Sequence, residues 1–245
     1  MFSSSYYSLI RCIKSGSSFN ELERNDKAFA CQPAISMILK AKKGAAIIYQ
    51  TLMNKTYDSK GKKKWIHLLH FEDDDWLSYF AMLKRTTPDT KLRWLQYRII
   101  HNILTTNRSA AKFIENQSDL CSFCNRESES IHHLLWQCEI VRSFWTQLSD
   151  LINRRCKHAH NIKIDERLAL FGLSDSVYTD RVLDLIILMA KLFIYRCKVQ
   201  TQPLIIRLFI RDIYERFCIE KTLRRDSVKF RNEWEHYTIL FQSLL

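Results

Sequence analysis

The sequence is poor in the residues that make tight turns, with only 4 Gly and 3 Pro among 245 residues. Sandwiches and barrels need such residues at most reversals. Their scarcity, beside abundant Leu, Ile, Lys and Arg, predicts a mostly α-helical chain. A long apolar run is also missing. The most apolar stretch, residues 182–195, is interrupted by Asp184 and Lys191, and is too short to span a bilayer, so it reads as a buried helix and no membrane partner is expected. No apolar secretory segment precedes the 8 Cys, of which three cluster and five are scattered. That pattern argues against a disulfide scaffold and for an intracellular protein of the nucleus or cytoplasm. No paired carboxylates, activated nucleophile or glycine-rich phosphate loop stands out, so neither catalysis nor a small-molecule substrate is expected.

What is present is enough apolar material for a core, 47% of residues, and a formal charge of +12. A surplus of that size suits a polyanionic partner, RNA or DNA. The first 33 residues are serine-biased and lack a sustained period, which predicts a weakly ordered leader. Residues 34–152 read as a helical region, 153–180 as a connection and 181–245 as a C-terminal helical segment. Within the first region, residues 34–53 suggest helical turns broken near Gly44, and Lys60 to Lys64 a solvated basic loop. The acidic run Glu72, Asp73, Asp74 and Asp75 sits where a helix N-terminus would welcome negative charge, with Asp74 or Asp75 as cap. It does not make a polymerase metal site, which needs a further carboxylate from a distant strand.

The clearest helix start is Thr87, Pro88, Asp89, read as capping hydroxyl, first helical residue and first-turn acid. That helix is expected to run to about Leu104 with Leu92, Leu95, Ile99 and Ile103 inward. Trp94 and Tyr97 either pack in the core or, beside Lys91, Arg93 and Arg98, meet bases and phosphates. Further on, Leu134, Cys138, Val141, Trp145, Leu148 and Ile152 alternate at spacings of four and three, as in one continuous amphipathic helix. His158 and His160 are expected to be exposed. Asp180 to Val199 is apolar on almost every side, so it is either central or faces a partner. Pro203 is expected to start the next helix, with Arg207 and Arg211 outward, and a last amphipathic piece runs from Ser227 to Leu244.

The strongest chemical signal is a CxxC pair, Cys121 and Cys124, followed by His132 or His133 and then Cys138. Two thiolates from a knuckle and two ligands from a following helix close a tetrahedron around one structural Zn2+, leaving no position for water. Cys12, Cys31, Cys156, Cys197 and Cys218 have no partners at ligand spacing. By count, residues 113–138 carry Glu115, Asp119, Glu127 and Glu129 against Arg126 alone, so the knuckle is a poor phosphate grip. The preceding flank is basic: Lys91, Arg93, Arg98, Arg108 and Lys112 stand against Asp89 and are the expected nucleic-acid-binding residues.

The run from Thr90 to Asn107 (TKLRWLQYRIIHNILTTN), then CSFC, then Glu129 to Cys138 (ESIHHLLWQC), resembles the reverse-transcriptase zinc-binding domain of LINE-type non-LTR retrotransposons. The later segment from Ala190 to Lys198 (AKLFIYRCK) is similar to the segment downstream of that domain in animal elements. In that family the ligating histidine precedes two apolar residues and stands five before the last cysteine, which selects His133 over His132. The resemblance implies the C-terminal piece of a polyprotein. Neither an endonuclease nor a polymerase would fit ahead of residue 35, so the expected role is a non-catalytic accessory that holds RNA or single-stranded DNA near a polymerase body supplied in trans. A second expectation, from a different class, is a protein-interaction module docking a polymerase or host partner through the apolar 182–195 helix.

Overall fold

The computed structural model describes residues 60–69, 75–156, 162–172 and 180–241, all within one compact unit, Asp58–Leu245. The expected leader at 1–33, the turns near Gly44, the acids Glu72 to Asp74, and His158 and His160 lie outside the described residues. What is described is mostly helical, as composition predicts. Among these residues the only β feature is an isolated bridge between Leu120 and Ser128.

Helix α1, Lys60–Leu69, occupies the stretch expected to be a basic loop. The lysines do not prevent a helix because Gly61 and Trp65, one turn apart, give it an inward face. Trp65 is buried and its indole N–H donates to the carbonyl of Ile99, 3.0 Å away. At Gly61 a Cβ would come within 2.4 Å of the His101 carbonyl, so only glycine lets α1 cross the end of the next helix but one.

Helix α2, Asp75–Thr86, turns Trp76, Tyr79, Met82 and Leu83 inward. Asp75 is thus the first helical residue, not the cap. Two residues after α2, Pro88 bars its continuation.

Helix α3, Thr90–Ile100, starts later than expected: the cap is Asp89, whose carboxylate accepts the Lys91 N–H at 2.9 Å. Thr87 instead accepts the Asp89 N–H at 3.1 Å, so hydroxyl and carboxylate act in series. The helix also ends four residues earlier than expected. Asn102 adopts φ 54° and the Ile103 N–H reaches back to the Arg98 carbonyl at 2.9 Å, a Schellman closure. The chain therefore turns before Ile103, which is 57% exposed, while Leu104 is buried in its place.

A short α4, Asn107–Ala110, is capped by Thr106 and Ser109 bonding reciprocally. After the knuckle, the expected single helix is divided into a widened turn, His133–Gln137, and α5, Glu139–Arg155, with Cys138 extended between them. All six stripe residues are nonetheless buried.

Helix α6, Glu166–Phe171, ends at Gly172 with φ 85°, where a Cβ would sit 2.6 Å from the Met82 side chain.

Helix α7, Arg181–Gln200, begins at Asp180, which accepts the N–H groups of Val182 and Leu183 at 3.0 Å each. It packs against α2, α3 and α6, and against two later helices, α8 (Ile206–Leu223) and α9 (Val228–Trp234). Twelve of its residues, from Val182 to Cys197, are buried. The all-round apolar pattern thus means a central helix. The expected docking of a partner through residues 182–195 is overturned, because that surface is already covered by this chain. Pro203 precedes α8 without starting it, and Ile205 takes the cap position.

The two charged residues that interrupt the apolar stretch, Asp184 and Lys191, are inside with the rest. Lys191 is fully buried and donates to the Leu170 carbonyl at 3.1 Å, a carbonyl that also accepts from Gln96 at 2.8 Å. Burial pushes its ammonium down to about 7, with the Asp184 charge opposing. Around this strand of polar groups the core is aromatic. Phe144 of α5, Phe193 of α7 and Phe209 of α8 meet with centroids 5.4 to 5.7 Å apart. No described helix is long and apolar enough to cross a membrane.

Candidate metal centre

The CxxC pair sits in a small reversal of the chain. Cys121 N–H bonds the Glu127 carbonyl at 2.8 Å and Glu129 N–H the Asp119 carbonyl at 2.7 Å, which fastens both sides of the loop. Asn125, with φ 51°, takes the left-handed conformation at its tip. Inside the turn the Phe123 N–H points at the Cys121 sulfur, 3.5 Å away.

His133 and Cys138 arrive from the widened turn, and their spacing explains it. The Cys138 N–H bonds the His133 carbonyl at 2.9 Å, five residues back, so the turn is a π-bulge. An ordinary α-turn would stack residue 137 over residue 133. The extra residue lets Cys138 close on the same side as His133. Trp145, one of the stripe residues of α5, donates its indole N–H to the Leu135 carbonyl at 2.8 Å and so occupies an acceptor that the bulge exposes.

The four side chains converge: the ligating atoms of Cys121, Cys124, His133 and Cys138 all lie within 4.8 Å of one another. The Cys121 and Cys138 sulfurs are 3.8 Å apart, and the Cys124 sulfur lies 3.4 Å from Nε2 of His133. A tetrahedral Zn2+ with Zn–S bonds of about 2.3 Å has S···S edges of roughly 3.8 Å, so the donor set fits that ion. Among the described residues no other such group of ligands forms. The thiol of Cys121 donates to Cys138 and is the largest influence holding the latter down to about 5. Burial opposes this, and the Val141 and Ile140 N–H groups at the start of α5 add to it. The same hydrogen bond raises Cys121. One sulfur of the pair is therefore favoured as thiolate, the form that binds metal.

His132 is drawn away from the cluster. Its Nε2 bonds Oε1 of Glu166 on α6, and its ring stands edge-on to Trp65. Behind His133, Oε2 of Glu127 lies 3.1 Å from Nδ1, within reach of a hydrogen bond though not aligned for one. That placement favours Nδ1–H and leaves Nε2 free to ligate.

Sequence reasoning missed the carboxylate that holds the knuckle in place. Glu129 is fully buried. One oxygen accepts the Asn107 N–H at 2.8 Å, the other accepts the N–H and hydroxyl of Ser122 at 2.9 and 2.8 Å, and Lys198 of α7 stands 3.3 Å away. Counting Glu129 among the surface acids overstated the knuckle's negative charge, since it is inside and paired. Nothing local in the sequence separates it from Glu127, its exposed neighbour. The signal that exists is distant, a lysine 69 positions later at the basic end of α7.

The five expected nucleic-acid residues divide. Lys91, Arg108 and Lys112 are exposed. Arg93 bonds the Thr87 and Lys84 carbonyls at 2.6 and 3.2 Å, and Arg98 lies half-buried with its guanidinium 5.7 Å from the Tyr195 ring centre. Lys64, not expected here, joins Arg108 and Lys112: burial lowers its ammonium, and the charges of those two residues lower it further. The core alternative for Trp94 and Tyr97 is overturned, since they are 57% and 39% exposed.

One zinc per chain is the expected stoichiometry. Replacing His133 should weaken zinc binding far more than replacing His132, whose ring nitrogen is occupied by Glu166. Metal titration of both variants checks this; a second tightly bound equivalent, or a larger loss at His132, would reassign the ligands.

No curated protein matches the chain. The family model described as zinc-binding in reverse transcriptase matches residues 53–145, a span that contains all four converging ligands and all five flank cations. Together with the Cys3His cluster, that match supports a reverse-transcriptase zinc-binding domain in this part of the chain.

Proposed function

We propose that the chain is a non-catalytic, zinc-stabilised nucleic-acid-binding module derived from the C-terminal region of a LINE-type non-LTR retrotransposon polyprotein. It works inside the cell, holding RNA or single-stranded DNA near a polymerase body supplied in trans. The observation that carries this reading is the grouping of Lys64, Arg108 and Lys112 beside the metal knuckle: the Arg108 N–H bonds the Glu129 carbonyl at 3.4 Å, and the charges of Arg108 and Lys112 add to burial in lowering the Lys64 ammonium. Phosphate relieves that crowding by replacing mutual repulsion with attraction, and releases counterions as it does so. Lys91 extends the same flank, and Arg93 and Arg98 contribute what their internal bonds leave free.

In this reading zinc cross-links the loop and the start of α5, holding the cationic face in one geometry. A set of four protein ligands leaves no open coordination position for reaction chemistry. The test is the salt dependence of oligonucleotide binding by the zinc-loaded chain. Removing Arg108 and Lys112 together should flatten the slope of log affinity against log salt by about 1.4 units on a single strand, at about 0.7 per phosphate contact. A folded double variant with the parent's affinity and slope would refute the reading.

A further inference from the structure

Trp94 is the outlier among the tryptophans. Trp65, Trp76, Trp145 and Trp234 are buried and Trp136 is half-covered, whereas Trp94 lies on the outer face of α3, 57% exposed. An aromatic ring left in water forgoes a large apolar stabilisation. Trp94 is also not alone. The Tyr97 ring lies nearly parallel to it, with centroids 5.2 Å apart and planes 8° from each other, and His101 comes next at 4.2 Å from Tyr97. The three share one helix face at spacings of three and four.

Cations stand at both ends of this row. Lys91 is exposed one turn before Trp94. Beyond His101, the Lys64 ammonium bonds the Asn102 side chain at 3.3 Å, and Arg108 and Lys112 adjoin it.

We propose that the Trp94, Tyr97 and His101 row is a stacking platform for unpaired bases, with the flanking cations taking the phosphates. This rests on the nucleic-acid reading above and adds which part of the nucleic acid is recognised. The parallel rings of Trp94 and Tyr97, with the His101 ring tilted 47° beside them, fit the faces of bases, which a single strand offers and a duplex keeps within its own stack. Cations at intervals along the row suit a charged backbone, and an apolar protein partner would have no use for them. From Lys91 to His101 the helix rises about 15 Å, room for a few nucleotides.

The test uses the zinc-loaded full chain with three probes: a 12-mer of deoxythymidine, a 12-mer of uridine, and the first annealed to its complement. Trp94→Ala and Tyr97→Ala are surface changes, and circular dichroism with zinc content verifies their folding. Each should weaken both single-strand complexes by about tenfold or more while leaving the duplex affinity and the salt slope as in the parent. Trp94→Phe should retain most of the affinity. The ratio of the parent's two single-strand affinities reports any preference for RNA or DNA.

Salt-dependent binding that both alanine variants retain in full overturns the platform and leaves the nucleic-acid reading standing. A loss confined to the uridine or to the deoxythymidine probe places recognition on sugar or substituent and also overturns it. Absence of binding to all three probes defeats both readings. A parent dimer that becomes monomeric on Trp94→Ala makes the face a protein interface, again against the proposal.

Discussion

Chelation of the zinc-loaded chain should unfold the segment from about residue 107 to residue 152 while the α7 to α9 region keeps its helices. A structural zinc site contributes on the order of 10 kcal/mol, more than the knuckle's other interactions can replace. Cys121, Cys138 and His133 are buried, and without a metal their polar atoms are left with few partners other than one another. The cheapest relief is for the loop and the π-bulge to separate. Once the bulge opens, Trp145 loses its acceptor on Leu135, so the disorder should pass into α5. The expected readout is a partial fall in helical circular dichroism with a change in tryptophan emission, both restored by zinc. Acid should produce the same transition, because protonated thiols release the ion. An unchanged spectrum from chain shown to be free of zinc would defeat the coupling.

The second large effect is expected at Glu220 of α8, far from the metal. This buried carboxylate accepts from Arg181 at 2.6 Å, from Arg216 at 3.2 Å and from the Trp234 indole at 3.2 Å, with Arg224 3.9 Å away. Arg181 also bonds Glu233 at 2.7 Å and the Thr86 carbonyl at 2.9 Å, and Arg216 bonds Asp89 at 3.0 Å. The network thus fastens α7, α8 and α9 to the turn between α2 and α3. Glu220→Ala leaves several guanidinium groups without their shared partner and should cost about 3 to 5 kcal/mol in denaturant unfolding.

Burial by itself would raise the Glu220 carboxyl, but its bonds with Arg181 and Trp234 and the charge of Arg216 hold it below the ordinary carboxylate value, and Glu233 is lowered in the same way. A depressed folded-state pKa means stability that is present above the unfolded value and lost as pH falls through the folded one. Stability should therefore decline below about pH 4.3, where free glutamate protonates, and Glu220→Gln should flatten that decline. A Glu220→Ala chain as stable as the parent, or a Gln variant with the parent's acid limb, would show the network to be incidental.

Residue patterns carried the architecture where one helix face had to be buried. The all-round apolar character of Asp180 to Val199 required a covered helix, central or docked on a partner, and packing by α2, α3, α6, α8 and α9 makes it central; the six stripe residues from Leu134 to Ile152 are inside as their spacing requires. The convergence of Cys121, Cys124, His133 and Cys138 was legible because a CxxC pair followed by a histidine and a cysteine is an order of residue types that can close a tetrahedral site. What periodicity could not show was any break made by a single residue. Asn102 stops α3 before Ile103, and Cys138 interrupts an unbroken stripe because its thiol has to meet His133. Gly61 lets a helix in the lysine run, which looked like a loop, lie against the end of α3. The buried Glu129 was illegible for another reason, since its environment is assembled from Asn107, Ser122 and Lys198, which only the tertiary fold brings together. Trp94 and Tyr97 were ambiguous because aromatic residues beside a stripe usually pack, and composition cannot tell an indole kept for a ligand from one needed in the core.

The Glu129 pairing with Lys198 has a consequence for what can be cut from the chain. The span matched by the family model stops at residue 145, inside α5, Glu139–Arg155. Excised there, it would lose Lys198 from the Glu129 carboxylate and the Leu170 carbonyl from Gln96. It would also lose the Phe193 and Phe209 rings that pack on Phe144. A buried carboxylate with no countercharge and an aromatic surface open to water would favour aggregation over folding. The stretch that sequence comparison recognises is therefore smaller than the stretch that must fold together, and similarity and thermodynamics draw the boundary in different places.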